Sequence, residues 1–130
     1  MKVLAIDPGE ARIGLAVSDP TGTVARPLTV LGHTSRHDDV DAILAAARDH
    51  NAELLIVGLP LDSEGNVGHR ARRALRLVEA LRSRGSLPVT TWDESGTTVA
   101  AQRGSAPDPM LDARAAAFLL QDYLDAQARA

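Results

Sequence analysis

The sequence predicts an α/β fold in which a five-stranded mixed sheet is flanked by helices. Three observations predict it. Short apolar runs bounded by Gly, Pro and Asp open the chain. Stretches of helical period then alternate with further short apolar runs. At 130 residues, 45% of them hydrophobic, the chain holds one core and one domain spanning 1–130.

Val3 to Ile6 reads as the first strand and ends in Asp7-Pro8-Gly9; Ile13 to Val17 reads as the second. Asp19-Pro20-Thr21-Gly22 is a turn, and Ala25 to Leu31 a third strand whose Pro27 suits an edge, since proline cannot donate to a ladder. These three form an antiparallel meander. From Ser35 the period changes. Val40, Ile43, Leu44 and Ala47 fall at i, i+3, i+4 and i+7, which makes a helix to about His50.

Leu54 to Val57 is a continuous apolar strand ending at Gly58-Leu59-Pro60. A loop carrying Gly65 and Gly68 leads to a second helix, with Ala71, Ala74, Leu75, Val78 and Leu81 as its inward stripe and Gly85 as its stop. Leu87 to Trp92 is the fifth strand, followed by a loop at Asp93-Glu94-Ser95-Gly96. The last helix starts where Asp108 caps and Pro109 takes the first position, then runs to about Ala128. Helical crossovers make the first, fourth and fifth strands parallel.

Composition removes several function classes. There is no cysteine, which excludes disulfides, thiolate catalysis and Cys-based zinc sites; any metal needs oxygen or histidine ligands. The apolar runs Leu54 to Leu61 and Ala115 to Leu120 are too short for a membrane span, and no basic-then-apolar leader precedes Val3, so a cytoplasmic protein without a membrane partner is expected. The net charge of −3 works against nonspecific nucleic-acid binding. Locally the sign reverses. Arg70, Arg72, Arg73, Arg76, Arg82 and Arg84 share one helix with a single acid, Glu79. Two readings of them are open, a nucleic-acid face and a solvated helix face.

In parallel α/β sheets, sites form beyond the carboxyl ends of the strands. Asp7 and the Asp93-Glu94 pair are expected there, facing one crevice. Asp112 joins them because Asp112, Ala115, Ala116, Leu119 and Tyr123 form the stripe of the last helix. A carboxylate on that stripe needs a cation, hydrogen-bond donors or exposure; a bland alternative is that it favours the positive end of its helix. Two carboxylates about 4 Å apart repel by about 4 kcal/mol at an effective dielectric of 20. A pair of Mg²⁺ or Mn²⁺ ions offsets that repulsion and suits phosphodiester hydrolysis. Gly9 and Gly14 fit a tight reversal and a close phosphate approach, or simply a turn. Thr97 and Thr98 either position a ligand or cap a short helix. The spacing of His33, His37 and His50 does not favour a metal role, His69 belongs to the basic helix, and Trp92 and Tyr123 are expected to pack in the core.

The stretch Asp7-Pro8-Gly9-Glu10-Ala11-Arg12-Ile13-Gly14-Leu15-Ala16-Val17-Ser18-Asp19 resembles the opening signature of the YqgF/RuvX family, relatives of the RuvC resolvases with an RNase H-like fold. Val57-Gly58-Leu59-Pro60-Leu61, Trp92-Asp93-Glu94 with Thr97-Thr98, and Leu111-Asp112 with Ala115-Ala116 continue the resemblance in order over nearly the whole chain. The resemblance implies a metal-dependent nuclease of 16S ribosomal RNA 5′-end maturation, or one that cuts four-way DNA junctions. Its implied catalytic set is Asp7, Asp93, Glu94 and Asp112, with Asp7, Glu94 and Asp112 on the metal and the choice between Asp93 and Glu94 open. Arg12, Arg70, Arg73, Thr97 and Thr98 would contact nucleic acid, either pre-rRNA within a ribosomal precursor particle or branched DNA, as a monomer or homodimer.

Two departures from the family stand out. Ser95 replaces the usual arginine after the Asp-Glu pair, and the loop Gly104-Ser105-Ala106-Pro107-Asp108 is short and lacks the usual cations. Both losses weaken the expected grip on phosphate. A noncatalytic nucleic-acid or ribosome-assembly module of the same fold is therefore the rival reading. A sugar-kinase or actin-like ATPase shares the Asp-x-Gly turn but needs two such domains, more than this chain supplies.

Overall fold

In the computed structural model, residues 1–61, 64–93 and 108–130 are described. Five strands form one sheet: β1 (Val3–Pro8), β2 (Arg12–Ser18), β3 (Ala25–Gly32), β4 (Leu54–Leu59) and β5 (Val89–Asp93). Their order across the sheet is β3-β2-β1-β4-β5. The β1–β2 and β2–β3 pairs are antiparallel, and β1–β4 and β4–β5 are parallel. The helices are α1 (Arg36–Asp49), α2 (His69–Arg84) and α3 (Leu111–Arg129). This is the mixed sheet that the sequence pattern predicts.

Alternation along the strands builds two cores. Leu4 and Ile6 of β1, Leu15 and Val17 of β2, and Leu55 and Val57 of β4 pack against Val40 and Ile43 of α1 and Val78 and Leu81 of α2. Val3, Ala5, Ala16 and Ile56 face the other way, against Ala116, Leu120 and Leu124 of α3. Among the described residues, helix α3 alone covers that second face, lying across β2, β3 and β1. Trp92 and Tyr123 meet edge to face at 5.2 Å beside this core, and Trp92 Nε1 donates to Asp122 at 2.8 Å, fastening β5 to α3.

Pro27 lies on the edge strand β3, opposite Ala16 at the register shift between Leu15 and Ala16, where its missing N–H does least harm. The turn between β2 and β3 is organised by Asp19. Its carboxylate accepts from the Thr21 hydroxyl and from the Val24 and Thr23 amides, which hold it well below the usual carboxylate range.

Several boundaries move. Asp7 lies inside β1, opposite Gly14, rather than past its end, and β4 continues through Gly58 and Leu59. β5 begins at Val89, two residues late, and includes Asp93. On α2 the buried stripe takes Leu77 in place of Leu75, giving Ala71, Ala74, Leu77, Val78 and Leu81. Helix α3 starts at Leu111, because Asp108 spends its carboxylate on the Met110 amide and the Arg114 guanidinium, closing a turn around Pro109 before the helix begins. Those bonds, Arg114 first, hold Asp108 below its ordinary pKa. The buried stripe of α3 is correspondingly Ala113, Ala116, Leu119, Leu120 and Leu124, with Asp112 at its margin.

Candidate metal and nucleic-acid site

Asp7 follows Val3 and Ala5 on the face covered by α3, and its register partner on β2 is Gly14. Gly14 is where the first turn of α3 touches the sheet. A β-carbon built there would lie 1.8 Å from the Asp112 carbonyl oxygen and 2.9 Å from the Ala113 nitrogen. Only glycine admits that approach. Gly14 therefore seats the helix that carries Asp112 directly beside the strand pair that carries Asp7, and does not serve a turn or a phosphate. Gly9 keeps the role the sequence suggests: its amide donates to the Arg12 carbonyl at 2.9 Å, closing the reversal between β1 and β2.

The result is a polar cleft of about 330 Å³ lined by Asp7, Pro8, Gly9, Glu10, Ala11, Arg12, Arg70 and Asp112. Asp7 is half-buried at its floor. Asp112, whose side chain is 23% exposed, accepts from Arg12 Nε at 2.9 Å. That guanidinium is the donor that a carboxylate on the margin of an apolar stripe requires. Arg70, on the first turn of α2, reaches the same cleft, whereas Arg73 one turn later lines a neighbouring cavity.

Asp93 lies elsewhere. It pairs with Leu59, which packs with Val57 in the α1–α2 core, so its side chain shares that face rather than the face of Asp7. Glu94, Ser95, Gly96, Thr97, Thr98 and residues 104–107 lie outside the described residues. Two carboxylates of the expected set, Asp7 and Asp112, are thus brought to one cleft together with Arg12 and Arg70. Their chemistry fits a hard divalent cation, since the donors are carboxylate oxygens in an open polar cleft, where Arg12 now holds Asp112. Among the described residues, the one trio whose ligand atoms fall within 4.8 Å of each other is His37, Asp38 and Asp41. It lies exposed on α1, with Asp41 engaged by Arg84 and by His37 at 3.5 Å, and Asp7 takes no part in it.

One pair escaped the sequence reading. Asp39 is buried and binds His33 Nδ1 at 2.5 Å through Oδ2 and the Thr34 amide at 3.2 Å through Oδ1. The signal was present: Asp39, Ile43 and Ala47 fall at i, i+4 and i+8, which sets an acid on the apolar stripe of α1.

Comparison with known proteins gives the family and the fold. A family model described as RuvX, Holliday junction resolvase, matches residues 1–126. A protein of Roseiflexus sp. is 40% identical over 97% of this chain and 95% of its own length. One from Clostridium novyi is 36% identical over 96% and 98%. Both are named as candidate pre-16S rRNA nucleases. Among solved structures, Thermus thermophilus RuvC in complex with a Holliday junction superposes with a TM-score of 0.64, at 20% identity over 98% of this chain and 96% of that one. No helix among the described residues is long and apolar enough to cross a membrane. With the fold shared with RuvC, the Asp7 motif at the end of β1 and the match running almost end to end, the chain belongs to the RuvX family.

Proposed function

We propose that this protein is a divalent-metal-dependent nuclease that hydrolyses phosphodiester bonds in maturation of the 16S rRNA 5′ end, acting in the cytoplasm on a ribosomal precursor. The observation that carries this reading is the Asp7–Asp112 cleft, assembled by the close approach of α3 over Gly14. The relatives named as candidate pre-16S rRNA nucleases supply the substrate. The protein's own groups divide the work. Asp7 and Asp112 hold Mg²⁺ or Mn²⁺, Arg70 draws the phosphate into the cleft, and Arg12 moves between Asp112 and the phosphate. A bound pair of ions would supply Lewis-acid stabilisation of the charge developing on the phosphoryl group. Glu94, rather than Asp93, is the third acidic ligand in this reading; the support is that Asp93 shares the face of Leu59.

The test is cleavage of a pre-16S rRNA fragment and of a four-way DNA junction by purified protein in Mg²⁺ or Mn²⁺, beside Asp7→Asn. Wild type is expected to cut the RNA, and removal of one carboxylate to slow it by about a hundredfold or more. Equal product from both proteins would sink the assignment. Cutting of the junction alone would move the substrate to branched DNA. The departures at Ser95 and residues 104–108 favour a second reading, a noncatalytic binding module. Tight RNA binding with no product from wild type would establish it.

A further inference from the structure

A second cavity, of about 340 Å³, opens on the opposite side of Pro8-Gly9 from the Asp7 cleft. Pro8 and Gly9 line both, so one turn of backbone separates them. The second cavity is walled by His33, Ser35 and Arg36 before and at the start of α1, by Arg73 and Leu77 of α2, and by Asp39 beneath. Its one acid is already committed: both oxygens of Asp39 accept hydrogen bonds, from His33 Nδ1 and from the Thr34 amide. Fixing Nδ1 on a carboxylate orients the imidazole and leaves Nε2 as the ring nitrogen for a ligand. Two guanidinium groups against one buried carboxylate give the cavity a positive balance. Helix α2 joins the two cavities, since Arg70 and Arg73, at i and i+3, lie on adjacent turns of one face and line one cavity each.

We propose that this cavity is a second phosphate subsite, where Arg36, Arg73 and the Asp39-oriented His33 hold a phosphodiester of the same nucleic-acid strand whose neighbouring phosphate lies at Asp7 and Asp112. The strand's path rests on the nuclease reading; the cationic cavity does not. It gives the protein a grip on its substrate beside the β1–β2 turn, in a sequence that lacks the family's usual cations after the Asp-Glu pair and in residues 104–108.

Binding of a fluorescein-labelled RNA dodecamer, followed by anisotropy in EDTA so that neither metal nor cleavage contributes, tests it. Arg36→Ala/Arg73→Ala is expected to weaken binding about tenfold, the loss of charge-assisted hydrogen bonds to one phosphate. The slope of log K against log salt should fall by about 0.7. Arg36→Lys/Arg73→Lys should keep the slope. Arg48→Ala/Arg129→Ala, which removes the same charge at the far ends of α1 and α3, should bind as wild type does. Both pocket arginines are at least partly exposed, so the fold tolerates their loss, whereas His33→Ala would strand a buried carboxylate. Wild-type-like binding by the pocket variant, an equal loss in the Arg48/Arg129 control, or no binding by wild type overturns the subsite. A wild type that binds through the pocket yet cuts nothing sustains the subsite and retires the nuclease reading. One that cuts RNA while the pocket variant binds normally does the reverse.

Discussion

Arg12 is the residue whose role the structure changes most. It is 65% exposed and its partner Asp112 is 23% exposed, so the pair contributes little to stability, of the order of 0–1 kcal/mol. Its consequence is for occupancy. A guanidinium on Asp112 competes with any divalent cation that needs the same oxygens, and yields when one binds. Arg12→Ala should therefore leave the melting temperature almost unchanged while tightening Mn²⁺ binding up to about fivefold, as read by calorimetry without nucleic acid. Weaker Mn²⁺ binding in the variant would instead make Arg12 the residue that pre-orients Asp112. The sequence could point to Asp112 as a carboxylate in need of a partner. It could not supply that partner, because residues 100 apart meet only through the packing of α3 on β2. Asp39 is the opposite case, legible from its place on the stripe of α1, four residues before Ile43 and eight before Ala47.

At the scale of elements, the candidate site depends on one crossing. β1 and β2 place Asp7 opposite Gly14, and α3 reaches that point because Gly14 has no side chain. Gly14→Ala drives a methyl group into the helix backbone, a clash that side-chain rotation cannot relieve. The expected loss is about 2–3 kcal/mol of stability, from the denaturant midpoint, with cleavage reduced further than the remaining folded fraction explains. A variant of wild-type stability would mean that α3 does not sit where this contact requires. Strands and helices were legible here because short apolar runs between turn residues and period-3.6 stripes are local patterns. Their ends were not: Asp108 and Pro109 carry the marks of a helix start, yet the hydrogen bonds from Met110 and Arg114 to Asp108 close a turn first and delay the helix to Leu111. Which face each acid takes also depends on register. Asp93 and Glu94 are indistinguishable in the sequence, and the pairing with Leu59 sets Asp93 on the α1–α2 face.

Across the whole molecule the sheet divides labour between its faces. The α1–α2 side holds the larger core, while the α3 side is smaller and carries both Asp7 and Asp112. A cavity cut on either side costs stability in the same way, since Ile43 and Leu120 are both fully buried. The cost to the site differs. Ile43→Ala loosens α1 beneath the second cavity and leaves the seat of α3 on Gly14 intact. Leu120→Ala loosens the helix that covers the other face and presents Asp112 to Asp7. Each should cost about 2–5 kcal/mol in chemical denaturation. At a temperature where both variants remain folded, amide exchange in α3 should accelerate selectively in Leu120→Ala, and Mn²⁺ affinity should fall in that variant alone. Equal loss of metal affinity in Ile43→Ala would mean that the two cores open as one cooperative unit, with Asp112 held by the whole sheet rather than by its own helix.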